Sequence, residues 1–202
     1  MLIFVLSACS SNEKVDENVS SDIVLQDAEE QTQLSPNENN REAKESILVV
    51  YFSATGTTEN IAHTVAELLE SDIYEIIPEQ AYTADDLAYY TDSRADREQN
   101  DANVRPAISG VIDDFNKYDT IILGYPIWHG QAPRIVSTFL ESYDFSDKTI
   151  IPFCTSHSSG LGSSDKNLYR LCPDNTKWLA GKAFYAGTTE REISDWLERI
   201  FA

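Results

Sequence analysis

Basic side chains are scarce in this sequence of 202 residues: 15 Lys and Arg stand against 34 Asp and Glu, a formal charge of −19 with histidines neutral. Phosphate-backbone binding needs clustered Lys and Arg, so nucleic acid is excluded as a main partner. Cysteine is rarer still. Cys9, Cys154 and Cys172 lie far apart, with no C-x-x-C and no Cys/His ligand spacing. That pattern argues against a zinc site and against a disulfide framework. No apolar run reaches the roughly 18 residues that a membrane-spanning helix requires. What the chain does have is 42% apolar and 10% aromatic residues, enough for a sizeable core. Its length suits one domain of about 100–200 residues with or without a tail. The expectation is a soluble, acidic, single globular domain.

The N-terminal stretch differs from the rest. Residues 1–45 carry ten acids and three bases. From Ser10 to Glu45 the chain is rich in Ser, Asn, Gln and Glu and contains no aromatic. Such composition buries too little apolar surface to offset its ordering entropy, so 10–45 reads as a disordered acidic linker, with a short helix conceivable around Ile23–Leu25. Ahead of it, Leu6-Ser7-Ala8-Cys9 resembles the lipobox of bacterial lipoproteins. Only eight residues precede Cys9 and none is basic, where a secretory signal has a basic start and about 15–30 residues. Either the start codon is assigned too far downstream or the match is fortuitous. The expectation is a signal remnant over 1–9, a lipid on Cys9 as the sole membrane contact, and an extracytoplasmic, anchored protein. A fortuitous match would leave it cytoplasmic.

From Ser46 onward strand and helix patterns alternate. Ile47–Phe52 is a continuous apolar run of strand length. After the polar stretch Ser53–Thr58, a helical face follows with Ile61, Val65, Leu68 and Leu69. Ile73–Ile77 reads as a second strand ended by Pro78. Ile108, Val111, Ile112 and Phe115 predict a helix over Val104–Phe115. Thr120–Gly124 is a third strand, and Pro133 suits the first turn of a helix carrying Ile135, Val136, Phe139 and Leu140. Thr149–Cys154 is a fourth strand, although Pro152 is unwelcome in a central one. Leu168, Leu171 and Cys172 suggest a short helix, Lys182–Ala186 a fifth strand, and Ile193, Trp196, Leu197 and Ile200 a closing helix. This order implies an open parallel sheet covered on both faces.

Ligands of such sheets bind beyond the carboxyl ends of the strands. Three loops qualify. In Ser53–Thr58 four hydroxyls and Gly56 lie between a strand and a helix, where backbone amides and the helix dipole favour an anion without any cation. Neither G-x-x-x-x-G-K-[ST] nor G-x-G-x-x-G occurs, so the expected ligand is a single phosphate group rather than a hydrolysed nucleotide or a dinucleotide. In Tyr125–Ala132, Trp128 follows a strand end and a proline, a place for stacking on a planar ligand. Thr155–Ser163 is small and polar, suited to backbone hydrogen bonds along a ring edge. His129 and His157 fall in these loops without an assigned proton-transfer role. Cys154 and Cys172 read as buried small hydrophobes.

Ser53-x-Thr55-Gly56-x-Thr58 after a strand resembles the phosphate loop of flavodoxins. Tyr125-Pro126-Ile127-Trp128, Arg105-Pro106-Ala107-Ile108 and the Ile151–Ser156 stretch resemble a bacterial subgroup of flavodoxin-like proteins, a likeness covering 46–202. It implies a three-layer α/β sandwich with a five-stranded parallel sheet in the order 2-1-3-4-5. It also implies FMN, whose phosphate is held by Ser53, Thr55, Gly56, Thr57 and Thr58. Pro126, Ile127, Trp128, His129 and Gly130 would border the ring, as would Thr155, Ser156, His157, Ser158, Gly160 and Gly162. Many flavodoxins cover the second ring face with an aromatic from the third loop, which Thr155–Ser163 lacks. That face is then open, or covered by Tyr82, Tyr89 or Tyr90 from the long segment 78–103.

The function implied is electron transfer by a monomeric shuttle of one or two electrons, whose acidic surface steers a basic redox partner. No side chain is then needed as acid, base or nucleophile. One alternative is an NAD(P)H-dependent flavin or quinone reductase on the same fold. It requires basic residues for the nicotinamide nucleotide's phosphates, and Arg94, Arg97, Arg105, Arg134 and Lys166 are the candidates. The other is a flavin-free surface lipoprotein that uses the fold for binding.

Overall fold

The computed structural model of the chain describes residues 46–202. The expected signal remnant 1–9 with its Cys9 and the expected linker 10–45 lie outside the described residues. At the centre is a parallel sheet in which β1 (Ile47–Tyr51) lies between β2 (Asp72–Glu75) and β5 (Thr120–Pro126), and β5 pairs in turn with β6 (Thr149–Thr155). Nearly every residue of β1, β5 and β6 is buried. Helices cover both faces, and that is why these strands read as unbroken apolar runs rather than alternating ones.

Alternate residues feed two cores. Val49, Tyr51, Ile122, Ile151 and Phe153 face α1 (Thr57–Leu69) and α4 (Glu190–Phe201), meeting Ile61, Val65, Ile193, Trp196 and Leu197. Leu48, Val50, Ile121, Leu123 and Ile150 face the other way, onto Ile135, Val136, Phe139 and Leu140 of α3 (Arg134–Ser142). The three layers and the order of the central strands follow the expectation.

The fifth position is divided. β7 (Lys177–Trp178) pairs with Thr149 and Ile150 of β6, whereas β8 (Lys182–Phe184) pairs with Phe153, Cys154 and Thr155. Pro152 falls at the break. The Ile150 carbonyl accepts from the Leu179 amide on this side (3.0 Å), so by strand alternation the missing N–H of Pro152 points into the gap. Gly181 fills that gap; a Cβ there would lie 2.8 Å from the Pro152 carbonyl oxygen. The proline thus removes no ladder bond, and the expected strand Lys182–Ala186 is shortened to Lys182–Phe184.

The expectation for Val104–Phe115 is overturned: no helix forms there. Ile108–Ser109 makes β4, antiparallel to β3 (Ile77–Pro78), and Phe115–Lys117 is a single 3-10 turn. Gly110 at φ +84 and Asp114 at φ +51 interrupt any helix, and Pro106 disfavours the helical region for the residue before it. The apolar spacing is real but serves an irregular crossing, with Phe115 buried and Val111 exposed. The second strand also differs in its end. It leaves the sheet after the Ile76 amide, which donates to the Tyr51 carbonyl at 2.7 Å. Around Leu168 the chain makes only a 3-10 turn, Tyr169–Leu171, while a helix absent from the expectation, α2 (Arg94–Asn100), closes the segment 78–103.

Candidate functional site

Beyond the carboxyl ends of β1, β5 and β6 the three loops enclose a cavity of about 310 Å³. One end of it is hydroxyl and amide. The chain leaves β1, and Ser53 Oγ accepts the Gly56 amide at 3.1 Å, curling the loop back on itself. Gly56 caps α1 at φ +85, a conformation that glycine adopts without a Cβ penalty. The first amides of a helix have no carbonyl one turn earlier, so they point outward with the positive end of the helix dipole. Ser53, Thr55, Thr57 and Thr58 all line the cavity. The hydroxyls of Thr55 and Thr57 take no partner among the described residues, whereas Thr58 Oγ1 is buried against Thr155 Oγ1 at 2.7 Å. Thr58 therefore ties the first loop to the third and leaves the open donors to its neighbours.

The opposite end is aromatic. Trp128 lines the cavity yet is only 7% exposed, its indole braced edge-on by Phe52 at 5.5 Å and Tyr82 at 5.1 Å between centroids. Its amide and carbonyl both pair with Gln131, each at 2.9 Å, so His129 and Gly130 form a two-residue turn at φ +49 and +75. Gln99 Nε2 clamps the same turn from α2 by donating to the Trp128 carbonyl at 3.0 Å. The third loop joins the second where the Ile127 amide donates to the Thr155 carbonyl, 2.9 Å away. It then closes upon itself, the amides of Ser159 and Gly160 donating to Ser156 Oγ at 3.0 and 3.1 Å.

Of the residues expected here, Ser53, Thr55, Thr57, Thr58, Pro126, Ile127, Trp128, His129, Thr155, Ser156 and His157 surround the cavity. Gly56, Gly130, Ser158, Gly160 and Gly162 do not line it; the four glycines instead hold positive-φ turns in the loops. Tyr82, Tyr89 and Tyr90 separate into three roles. Tyr89 lines the cavity, Tyr82 supports Trp128 from behind, and Tyr90, 89% exposed, stays outside it against His129 and Tyr89.

Asp96 is the residue that the sequence concealed. It sits in α2, and its Oδ1 lies 2.7 Å from His129 Nε2 across the edge of the cavity. Burial raises the Asp96 pKa, but hydrogen bonds from the Thr91, Tyr90 and Ser93 amides and from His129 outweigh it and hold the carboxyl below its usual range. Leu87, Ala95 and Ala186 complete the wall. Ala186 arrives just past β8, whereas no motif marks Leu87, Ala95 and Asp96, since they reach the site only by folding of the 78–103 segment. Its one available signal was an unusual length for a connection.

Among the described residues no Lys or Arg lines the cavity. Arg94 bonds Glu98 at 2.6 Å and lies over the Tyr82 ring. Arg97 pairs with Asp92 and Arg105 with Glu141, and Arg134 donates to the Glu98 and Gln99 carbonyls. The thiols are equally remote from chemistry. Cys154 is buried as expected but Cys172 only half-buried; desolvation pushes both thiols up to about 12, keeping them protonated at neutral pH.

A family model described as Flavodoxin matches residues 46–200. Among solved structures, proteins assigned as flavoproteins from Bacteroides uniformis and Bacteroides eggerthii are similar. The first is 41% identical over 76% of this chain and 98% of that one, with a TM-score of 0.72. The second is 39% identical over 78% of this chain and 98% of that one, with the same TM-score of 0.72. A flavoprotein from Lactobacillus acidophilus, solved in complex with FMN, shares the fold at 23% identity and a TM-score of 0.56, over 76% of this chain and 99% of that one. No curated protein matches the sequence.

Proposed function

The chain belongs to the flavodoxin family, and on that premise we propose that it is an FMN-dependent electron carrier. The cofactor is FMN. One observation supports this above the others: a single cavity joins a cation-free end of free hydroxyls and helix-terminal amides to an aromatic end at Trp128 and Tyr89. A phosphate monoester suits the first end, because hydroxyls and amides solvate its charge while the α1 dipole offsets it. A planar ring suits the second, and the solved Lactobacillus acidophilus relative is an FMN complex.

FMN supplies the redox chemistry when bound, and the chain's residues bind, orient and tune it. Thr55 and Thr57 present the phosphate donors. Trp128, braced by Phe52 and Tyr82, offers a surface whose orientation is already set, and Tyr89 provides the aromatic that the third loop lacks. Asp96 places negative charge in the wall, which disfavours further negative charge in the site and draws the reduction potential down. His129 is engaged by that carboxylate, so the site holds its cofactor without requiring an acid–base residue. The five basic residues available to a nicotinamide nucleotide all lie away from this cavity.

In this reading the excess acidity steers a basic redox partner, with association slowing as ionic strength rises. A lipid on Cys9 anchors the domain outside the cytoplasm, and N-terminal mass spectrometry showing an unmodified thiol would refute that anchor. The central experiment titrates the full chain with FMN and then mixes the complex with NADPH. A yellow, fluorescence-quenched complex that bleaches slowly is expected. A colourless chain at saturating FMN overturns the cofactor, and bleaching within about a second, a turnover rate common for enzymes, moves the protein to the reductases.

A further inference from the structure

A second cavity, about 230 Å³, opens beside the same turn, with Gln131 and Ala132 in its wall. None of its lining residues lines the FMN cavity. It gathers Arg105 from the loop after α2, Arg134 from α3 and Arg170 from the 3-10 turn Tyr169–Leu171, in a chain that holds only 15 basic residues against 34 acids.

The three guanidinium groups differ in their partners. Arg105 is neutralised by a two-point pair with Glu141, Nε at 2.7 Å and Nη2 at 2.8 Å. Arg134 forms no ion pair among the described residues, although the Asp101 charge acts on it from a distance. Its Nε and Nη2 donate to the carbonyls of Glu98 and Gln99 at the end of α2, at 3.2 and 2.8 Å. Burial first, and then the charges of Arg105 and Arg170, hold its pKa below the ordinary arginine value. Arg170 is exposed in its 3-10 turn and forms no ion pair among the described residues.

A separate observation points the same way. Ser137, one turn into α3, is buried to 5% exposure and lines this cavity. Its hydroxyl takes no hydrogen bond among the described residues and is not sealed from solvent, so it is free to donate to a guest in the cavity. Two guanidinium groups without a paired carboxylate and a hydroxyl without a protein partner thus share one concavity. Each lacks the same thing, an oxygen acceptor carrying negative charge.

We propose that this cavity binds a compact oxyanion, a phosphate or a carboxylate, between Arg134 and Arg170, with the Ser137 hydroxyl as a further donor. The planar guanidinium fork matches both anion types. The cavity is smaller than the usual 300 Å³ or so of drug-sized sites, which favours a ligand of few atoms. The proposal does not depend on FMN, since it uses no residue of the FMN cavity.

Calorimetry on the FMN-loaded full chain tests it, with inorganic phosphate and malonate titrated separately against sodium chloride at matched ionic strength. Loading with FMN closes the other phosphate-accepting loop; a chain that retains no FMN is replaced by Thr55→Val, which cripples that loop. Saturable binding of at least one anion is expected, and the tighter of the two identifies the source. Arg170→Gln should weaken it about tenfold or more, as loss of a charge-assisted hydrogen bond implies. Ser137→Ala should weaken it several-fold, and Arg170→Gln should leave FMN affinity unchanged. Absence of saturable heat from both anions, or equal affinity in wild type and Arg170→Gln, overturns the proposal.

Discussion

At the scale of single residues, the site divides into side chains that line the cavity and side chains that hold the first group still. Thr55 belongs to the first group, its hydroxyl unpartnered and open to the cavity. Thr55→Val should therefore weaken FMN binding by about tenfold, the worth of one hydrogen bond to a charged group, while leaving riboflavin almost untouched; fluorescence titration with both flavins separates these outcomes. Trp128 belongs to both groups. Trp128→Ala should weaken FMN by at least the 0.5–1.5 kcal/mol or so of an aromatic pair, and because Phe52 and Tyr82 lose their neighbour, urea unfolding should show lower stability as well. Thr55 and Trp128 were legible because each stands just past an apolar strand, where residue type alone suggests exposure to a ligand. Asp96 was not, because its neighbours in sequence are ordinary helix residues and its partner His129 is 33 positions away.

At the scale of elements, local pattern was a sound guide wherever an element packs flat on the sheet. The apolar stripes of α3 and α4 are the buried faces, and in α1 Ile61 and Val65 are buried as expected, whereas Leu68 at the end of that stripe is exposed. The same pattern misled over 104–115, where periodicity survives but Gly110 and Asp114 at positive φ break the backbone into a short strand and a turn. Close approach is another matter that only packing reveals. Gly124 in β5 would place a Cβ 2.2 Å from Phe153 Cζ, and Phe153 is fully buried with no room to withdraw. Gly124→Ala should cost about 1–3 kcal/mol as an overpacked core, read as a lower urea midpoint with an unchanged slope. A wild-type midpoint would mean that the Phe153 ring moves more freely than its surroundings permit.

At the scale of the whole molecule, the acidic balance governs how stability responds to pH. Several carboxyls sit below their ordinary pKa in the folded state: Asp72 through the Tyr118 hydroxyl, Glu141 through Arg105, Asp144 through Ser146 and Glu192 through Thr189. A depressed folded pKa means that the unfolded chain takes up protons first as pH falls. The stabilisation from these groups is therefore complete above the unfolded value of about 4 and is lost below it. Glu75, raised mainly by burial, acts in the opposite sense. Thermal melts across pH should show stability falling steeply below about pH 4, and a flat profile there would contradict the hydrogen bonds assigned to these carboxyls.

The central strands, the three loops beyond them and the hydroxyl-rich loop after β1 could be read from the chain alone, because each depends on a run of neighbouring residues whose periodicity or chemistry is local. The order of the strands in the sheet was implied only by the resemblance to flavodoxins. Folding in three dimensions decided the rest. Thr58 meets Thr155 across 97 positions, Gln99 clamps Trp128, the 78–103 segment brings Tyr89 and Asp96 to the rim, and three distant arginines converge on one hollow. Those meetings depend on the paths of irregular connections, which are set by packing against the sheet and by a few left-handed backbone positions, and neither leaves a periodic trace in the order of residues.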